Sequence, residues 1–114
     1  MPDAQFLDAT LHALADPTRR AILARLAQGE ATVGELARPF AISQPAISRH
    51  IKVLTQSGLV VQSAQGTKRP CRLARGGLDE LDTYLAVLRT ALERNYARLD
   101  DLLAKGRRTK GKSE

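Results

Sequence analysis

The stretch Ile42-Ser-Gln-Pro-Ala-Ile-Ser-Arg-His-Ile-Lys-Val-Leu-Thr-Gln-Ser-Gly58 reads as one short helix with an apolar back and a polar front. Ser43 is a good N-cap, because its hydroxyl can take an amide two or three residues on. Pro45 is tolerated in the first turn, where its missing N–H would have had no helical partner. Gly58 suits the residue just past the end, where the backbone turns left-handed. Ile47, Ile51 and Leu54 follow the i, i+4, i+7 spacing of a buried face. Gln44, Ser48, Arg49, Lys52 and Thr55 are left on the other side. Short polar donors with two cations suit a DNA major groove, where amides and hydroxyls reach base edges and Arg pairs with guanine. Taken alone, the stretch is also an ordinary amphipathic surface helix. Its flanks decide.

Immediately upstream, Thr32-Val-Gly-Glu35 is a capping box: the Thr32 hydroxyl covers the N3 amide while Glu35 reaches back to the Thr32 N–H. It opens a short third helix carrying Leu36 and Ala37 and stopped by Pro39, with Phe40 and Ile42 placed to pin the following turn. Two short helices joined by a tight turn, the second polar and basic on its outside, make a helix-turn-helix. Downstream, the β-prone runs Leu59 to Ser63 and Lys68 to Leu73 flank Gln65-Gly66-Thr67, a hairpin tip. Pro70 fits only an edge or an irregular stretch, so the second strand should be short. A basic hairpin after a recognition helix is a wing, placed to meet phosphates through Lys68 and Arg69.

Charge follows the same map. The chain of 114 residues carries a net +6. From Arg38 to Arg75 every charged residue is a base (Arg38, Arg49, Lys52, Lys68, Arg69, Arg72 and Arg75), and no Asp or Glu intervenes. A cationic zone centred on the candidate recognition helix is the electrostatic footprint of phosphate-backbone binding.

Before this core, Phe6, Leu7, Leu11 and Leu14 predict a first helix over Asp3 to Ala15. Asp16 as N-cap and Pro17 at N1 then start a second helix, Thr18 to Ala27, with Ile22, Leu23 and Leu26 inward and an end near Gly29. After Gly76-Gly77 a long helix is expected from Leu78 to about Ala104. Leu78, Leu81, Leu85, Leu88, Leu92, Tyr96, Leu99 and Leu103 advance along it in threes and fours, an apolar seam some 40 Å long. A small winged core has too little surface to cover that seam. The simplest completion is a C2 homodimer built on residues 1–15 and 78–104, with Leu7, Leu11, Leu14, Leu81, Leu85, Leu88, Leu92, Tyr96 and Leu99 at the interface. Residues 1–104 form the winged domain in this reading. The stretch 105–114, which has no apolar residue, reads as a disordered basic tail.

Other classes are poorly supported. Hydrophobic content of 43% excludes wholesale disorder. No apolar run is long enough to span a bilayer, and the N-terminus lacks the basic and apolar regions of a signal peptide, so a cytoplasmic protein without membrane contact is expected. There is no Ser/His/Asp or Cys/His set and no Gly-rich phosphate loop, and 4% aromatics offers little to line a cofactor pocket; neither enzyme nor cofactor is expected. The single cysteine, Cys71, excludes an internal disulfide and a multi-thiolate metal site. Arg69 and Arg72 would favour its thiolate, whereas a place in a short strand would bury it as a small packed residue. His50 adjoins the recognition face within reach of a phosphate, and His12 lies on the first helix.

These residues resemble the ArsR/SmtB class of bacterial winged-helix repressors. The resemblance is carried by Leu14-Ala-Asp-Pro-Thr-Arg-Arg-Ala-Ile-Leu-Ala-Arg-Leu26 and by Ser43-Gln-Pro-Ala-Ile-Ser-Arg-His-Ile-Lys-Val-Leu54 with Ser57-Gly-Leu-Val60. It implies a mainly α winged helix-turn-helix with a small β-hairpin wing and a long C-terminal dimerisation helix. It implies, too, a homodimeric (auto)repressor of a palindromic double-stranded DNA operator, released by an inducer of unassigned identity or another signal. Metal-sensing members continue after the equivalent of Glu35-Leu36 with Cys-x-Cys, where this chain has Ala37 and Pro39, and it has no histidine from Leu78 onward. It is more similar to the branch without those metal sites, so no metal is expected. In this frame Gln44, Ser48 and Arg49 face base edges, Ser43, Lys52 and Thr55 the backbone, and Lys68 and Arg69 lie in the wing. Two other readings stand beside it: a protein-interaction module using the leucine seam, and an architectural DNA binder without sequence preference.

Overall fold

Local side-chain caps set the helix boundaries in the computed structural model, which describes residues 4–64 and 66–110, with side chains at 5–64 and 66–105. Helix α1 spans Ala4–Leu14 and α2 Pro17–Leu26, with Pro17 in the first turn and Asp16 accepting from Arg19 N. Helix α3 is Val33–Ala37, started by the full capping box: Glu35 N donates to Thr32 Oγ1 at 3.2 Å and Thr32 N to Glu35 Oε1 at 2.8 Å. Helix α4 is Gln44–Gln56, N-capped by Ser43. Gly58 follows its C-cap at φ 83, a left-handed backbone that costs glycine little. Strands β1, Val60–Gln62, and β2, Cys71–Leu73, pair antiparallel with Val61 opposite Arg72. Helix α5 is Asp79–Lys110.

Two units result, Met1–Leu81 and Asp82–Glu114. In the first, α4 packs against α1, α2, α3 and β1. Ile47, Ile51 and Leu54 are at most 2% exposed and meet Ile22, Leu26, Leu36, Leu59 and Val60. Burying a side chain of this kind contributes about 1.5–3 kcal/mol, so the apolar back of α4 is the centre of the core. Cys71 belongs to the same cluster and is fully buried. An isolated bridge, Ala31 N to Cys71 O at 3.1 Å and Cys71 N to Ala31 O at 2.8 Å, ties β2 to the residue before the capping box. The wing is thereby anchored to the start of the helix-turn-helix.

The second unit is helix alone. Every side chain from Asp82 to Leu103 is exposed, including Leu85, Leu88, Leu92, Tyr96 and Leu99, with Tyr84 and Leu102 beside that apolar face. Among the described residues no helix is long and apolar enough to cross a membrane.

Three expectations need correction. The strands are shorter than the β-prone runs: past Gln62 and before Cys71 the ladder continues only as Ser63 N to Pro70 O at 2.8 Å. Pro70 has no N–H to return, and Arg69 sits at φ 43, off strand geometry. Helix α5 begins one residue after Leu78 and is assigned to Lys110, past the start of the expected basic tail at 105. Asp101 pairs with Lys105 one turn on at 3.5 Å, in the favourable acid-first order. Residues 111–114 of that tail, like Gln65 in the wing tip, lie outside the described residues. Ile42 is 40% exposed and does not pin the turn, which Phe40 does by packing on the core.

Candidate nucleic-acid interface

Once Ile47, Ile51 and Leu54 point inward, the 100° step of the helix puts Arg49 and Lys52 on the opposite side and Gln44 and Ser48 on one flank. Ser43, Gln44, Ser48, Arg49 and Lys52 are all exposed; Thr55 is half-buried. Ser43 Oγ accepts from Ala46 N at 3.3 Å, which leaves its O–H free to donate to a phosphate oxygen. Thr55 differs. Its hydroxyl donates to Lys52 O at 2.9 Å, so only acceptor lone pairs face outward, a poor match for phosphate.

A cleft of about 540 Å³ separates α3 and α4 from the wing. Ser48 lines it on the α4 side, Arg38 at the end of α3, and Gln62, Lys68 and Arg69 on the hairpin. Three cations lining one cleft, Arg38 across from Lys68 and Arg69, concentrate positive potential where a sugar-phosphate strand would pass. Glu35 also lines the cleft, its carboxyl held below the usual range by the Thr32 N–H and hydroxyl. The Arg69 carbonyl accepts from Gln62 Nε2 at 3.4 Å, which fixes the left-handed turn that presents Lys68 and Arg69 to solvent.

Not every sequence expectation lands on this face. The His50 imidazole is half-buried on the flank of α4 nearest α2: its Nδ1 lies 3.3 Å from Arg19 Nη1 and 4.0 Å from Asp16 Oδ2, so it is turned away from any phosphate on the recognition side. The field of the arginines does not prevail at Cys71. Burial pushes its thiol above the ordinary value and outweighs the Arg69 charge. Of the interface leucines, Leu11 is 43% exposed and Leu7 half-buried, while the half-buried Leu14 packs on the core of its own chain.

Arg38 and Arg19 received no role from the sequence. Arg38 counted only toward the basic zone, although it directly follows the five-residue α3 and so stands at the turn before the recognition helix. Arg19 carries a clearer signal. Cations in the first turn of a helix oppose its dipole by about 0.3–1 kcal/mol, so two adjacent arginines there imply partners elsewhere. Those partners are the last carbonyls of α1: Arg19 Nε donates to Ala13 O at 2.8 Å and Nη2 to His12 O at 3.0 Å, and Arg20 Nη1 to Leu14 O at 2.8 Å.

A fold of this order, with an acid-free outward helix and a cationic wing cleft, defines a winged helix-turn-helix DNA-binding protein. The helix-turn-helix domain family matches residues 14–63. The HTH-type transcriptional regulator Rv2034 of Mycobacterium tuberculosis is 47% identical over 94 residues, 82% of this chain and 88% of the relative. The crystal structure of an ArsR family transcriptional regulator superposes with a TM-score of 0.73 at 40% identity, over 77% of this chain and 97% of the other. A homodimeric winged helix-turn-helix DNA-binding domain from Mycobacterium bovis, solved by NMR, gives 0.61 at 28% identity over 75% and 80%. The chain belongs to the ArsR family of helix-turn-helix transcriptional regulators, a DNA-binding and non-enzymatic class.

Proposed function

We propose that the chain acts in the cytoplasm as a homodimeric repressor that reads a palindromic operator in double-stranded DNA, its own promoter among the targets. The observation that carries this is the outward face of α4, polar and cationic with no acid, set between a capped turn and a basic wing cleft. Gln44, Ser48 and Arg49 read base edges, Arg49 by a fork-like pair to guanine. Ser43, Lys52 and Thr55 sit toward the backbone, Thr55 weakest of the three because its hydroxyl is already donated. Lys68 and Arg69 hold the neighbouring phosphates from the wing, and Arg38 joins them from α3.

Dimerisation is supported by the homodimeric M. bovis relative and by the apolar face of α5, which its own chain leaves exposed. Leu7, Leu11 and Leu14 of α1 and Leu81, Leu85, Leu88, Leu92, Tyr96 and Leu99 of α5 are the surfaces a second copy covers. The spacing of two copies of α4 then sets the half-site distance of the operator. The signal that releases DNA is not a metal in this reading. Ala37 and Pro39 offer no ligand atom where metal-sensing members carry Cys-x-Cys.

Selection from a random-sequence duplex pool, with the sedimentation mass of the free protein, tests the proposal. A dimer that enriches a two-fold-symmetric sequence with half-sites about one helical turn, roughly 34 Å, apart is the expected result. A stable monomer that retards no duplex would instead identify an interaction module using the leucine seam. A dimer that enriches nothing would identify an architectural binder.

A further inference from the structure

Arg19 is the buried charge among the described residues, at 9% exposure, and its guanidinium is used on three sides. Nε and Nη2 hold the Ala13 and His12 carbonyls that end α1, and Nη1 meets His50 Nδ1 on α4 at 3.3 Å. Asp16 completes the cluster: its Oδ2 accepts from Arg19 N at 3.0 Å and stands 4.0 Å from the same Nδ1. Arginine has donors only, so a hydrogen bond in this contact requires the His50 tautomer with its lone pair on Nδ1 and its proton on Nε2. The bond therefore joins three helices at one point: the end of α1, the start of α2 and the middle of α4.

Its place along α4 gives it a use. His50 directly follows Arg49 and is two residues from Ser48. The apolar back of α4 fixes how deep the helix lies, but apolar attraction is non-directional, and a hydrogen bond on the flank adds a directional constraint on rotation about the helix axis. A rotation of about 10° moves a side-chain tip some 6 Å from the axis by about 1 Å. That breaks a hydrogen bond to a base edge, whose length varies by only a few tenths of an ångström. A long lysine reaching a phosphate absorbs the same displacement.

We propose that His50 is a positioning residue for sequence reading: through Arg19 it locks the rotation of α4 to the C-terminal end of α1, and so sets the aim of Gln44, Ser48 and Arg49. The inference rests on the reading of α4 as the recognition helix. It also gives α1, half of the proposed dimer surface, a direct hold on the helix that reads DNA.

The test compares wild type with His50→Leu and His50→Asn on two probes, the duplex that wild type enriches from a random pool and a scrambled duplex of the same composition. Leucine fills the half-buried place without an acceptor. Asparagine puts Oδ1 on the same γ-carbon position that carries Nδ1 in histidine and can accept from Arg19. The ratio of the two affinities should fall about tenfold or more in His50→Leu, roughly the value of one such directional contact. Affinity for the scrambled duplex should stay within about twofold, because phosphate contacts supply it. His50→Asn should recover most of the ratio. An unchanged ratio in His50→Leu, or an equal loss in His50→Asn, overturns the proposal. Should His50→Leu fail to give a cooperative melting transition, His50→Ala carries the same expectations. A wild type that enriches no sequence removes the recognition-helix reading itself, whereas a discriminating wild type with an indifferent His50→Leu removes only the positioning role.

Discussion

Arg19 and Arg20 are identical in sequence terms, adjacent in one motif, and both reach back to carbonyls that end α1. The structure separates them sharply. Replacing Arg19 by Met strips the donor from the buried bond to Ala13 O at 2.8 Å and from the part-buried bond to His12 O at 3.0 Å. Leaving a buried carbonyl without a partner costs about 1–3 kcal/mol, and the second carbonyl, which water reaches, adds about 0.5–1 kcal/mol. Relief of a cation from the N-terminal end of α2 returns about 0.3–1 kcal/mol. The contact to His50 is lost too, about 0.5–1.5 kcal/mol, so the net expectation for Arg19→Met is a loss of about 1–5 kcal/mol, centred near 3. Arg20→Met loses one exposed bond, to Leu14 O at 2.8 Å, which water replaces; with the same relief it should lie within about 0.5 kcal/mol of wild type. Urea unfolding resolves the pair, since about 2 kcal/mol at a slope near 2 kcal/mol/M moves the midpoint by roughly 1 M. Protomer concentration must be held fixed, because a dimer's stability depends on it. Equal midpoints, or a larger loss in Arg20→Met, would refute the claim that the buried guanidinium holds α1 to α2.

Three more outcomes follow from single positions. A Cβ on Gly77 would stand 2.5 Å from Gly58 O and 3.0 Å from Leu59 Cα, backbone that cannot swing aside, so Gly77→Ala should destabilise by about 1–3 kcal/mol, read from the same urea curves, and an unchanged midpoint would contradict the close approach. The native Glu35 carboxyl is held low by Thr32, so it contributes stability that is present above the ordinary carboxylate range and is lost as pH falls through the native value. Glu35→Gln keeps an acceptor for Thr32 N but does not titrate; its deficit against wild type should therefore shrink as pH is lowered below about 5, and a constant deficit would contradict the assignment. The buried Cys71 thiol should be alkylated at a rate set by unfolding, many times more slowly in buffer than in urea, and equal rates would mean that the site opens freely.

Much of the helix-turn-helix was legible because its determinants are local. Asp16, Thr32 and Ser43 each cap a helix within three residues, and Gly58 ends α4 with its own backbone. Such bonds need only the right residue at the right offset. The periodicity of Ile47, Ile51 and Leu54 likewise settled which face of α4 is buried. What escaped depends on residues far apart in the chain. The partner of His50 lies 31 positions away on α2, so a residue beside the recognition face is turned inward by a contact that no helical pattern encodes. Cys71 is set by its bridge to Ala31 as well as by β1, and burial there outweighs the neighbouring arginines. The wing was overdrawn because strand propensity is blind to a left-handed Arg69 before Pro70.

The central claim is that α4 reads base edges while the wing holds the backbone. Competition binding of Arg49→Ala and Lys68→Ala on the selected and the scrambled duplex, across a salt series, tests it most directly. Arg49→Ala should cost about 1–3 kcal/mol on the selected duplex and little on the scrambled one. Lys68→Ala should weaken both alike and lower the salt slope by about 1. Equal losses on both duplexes for Arg49→Ala would contradict the claim.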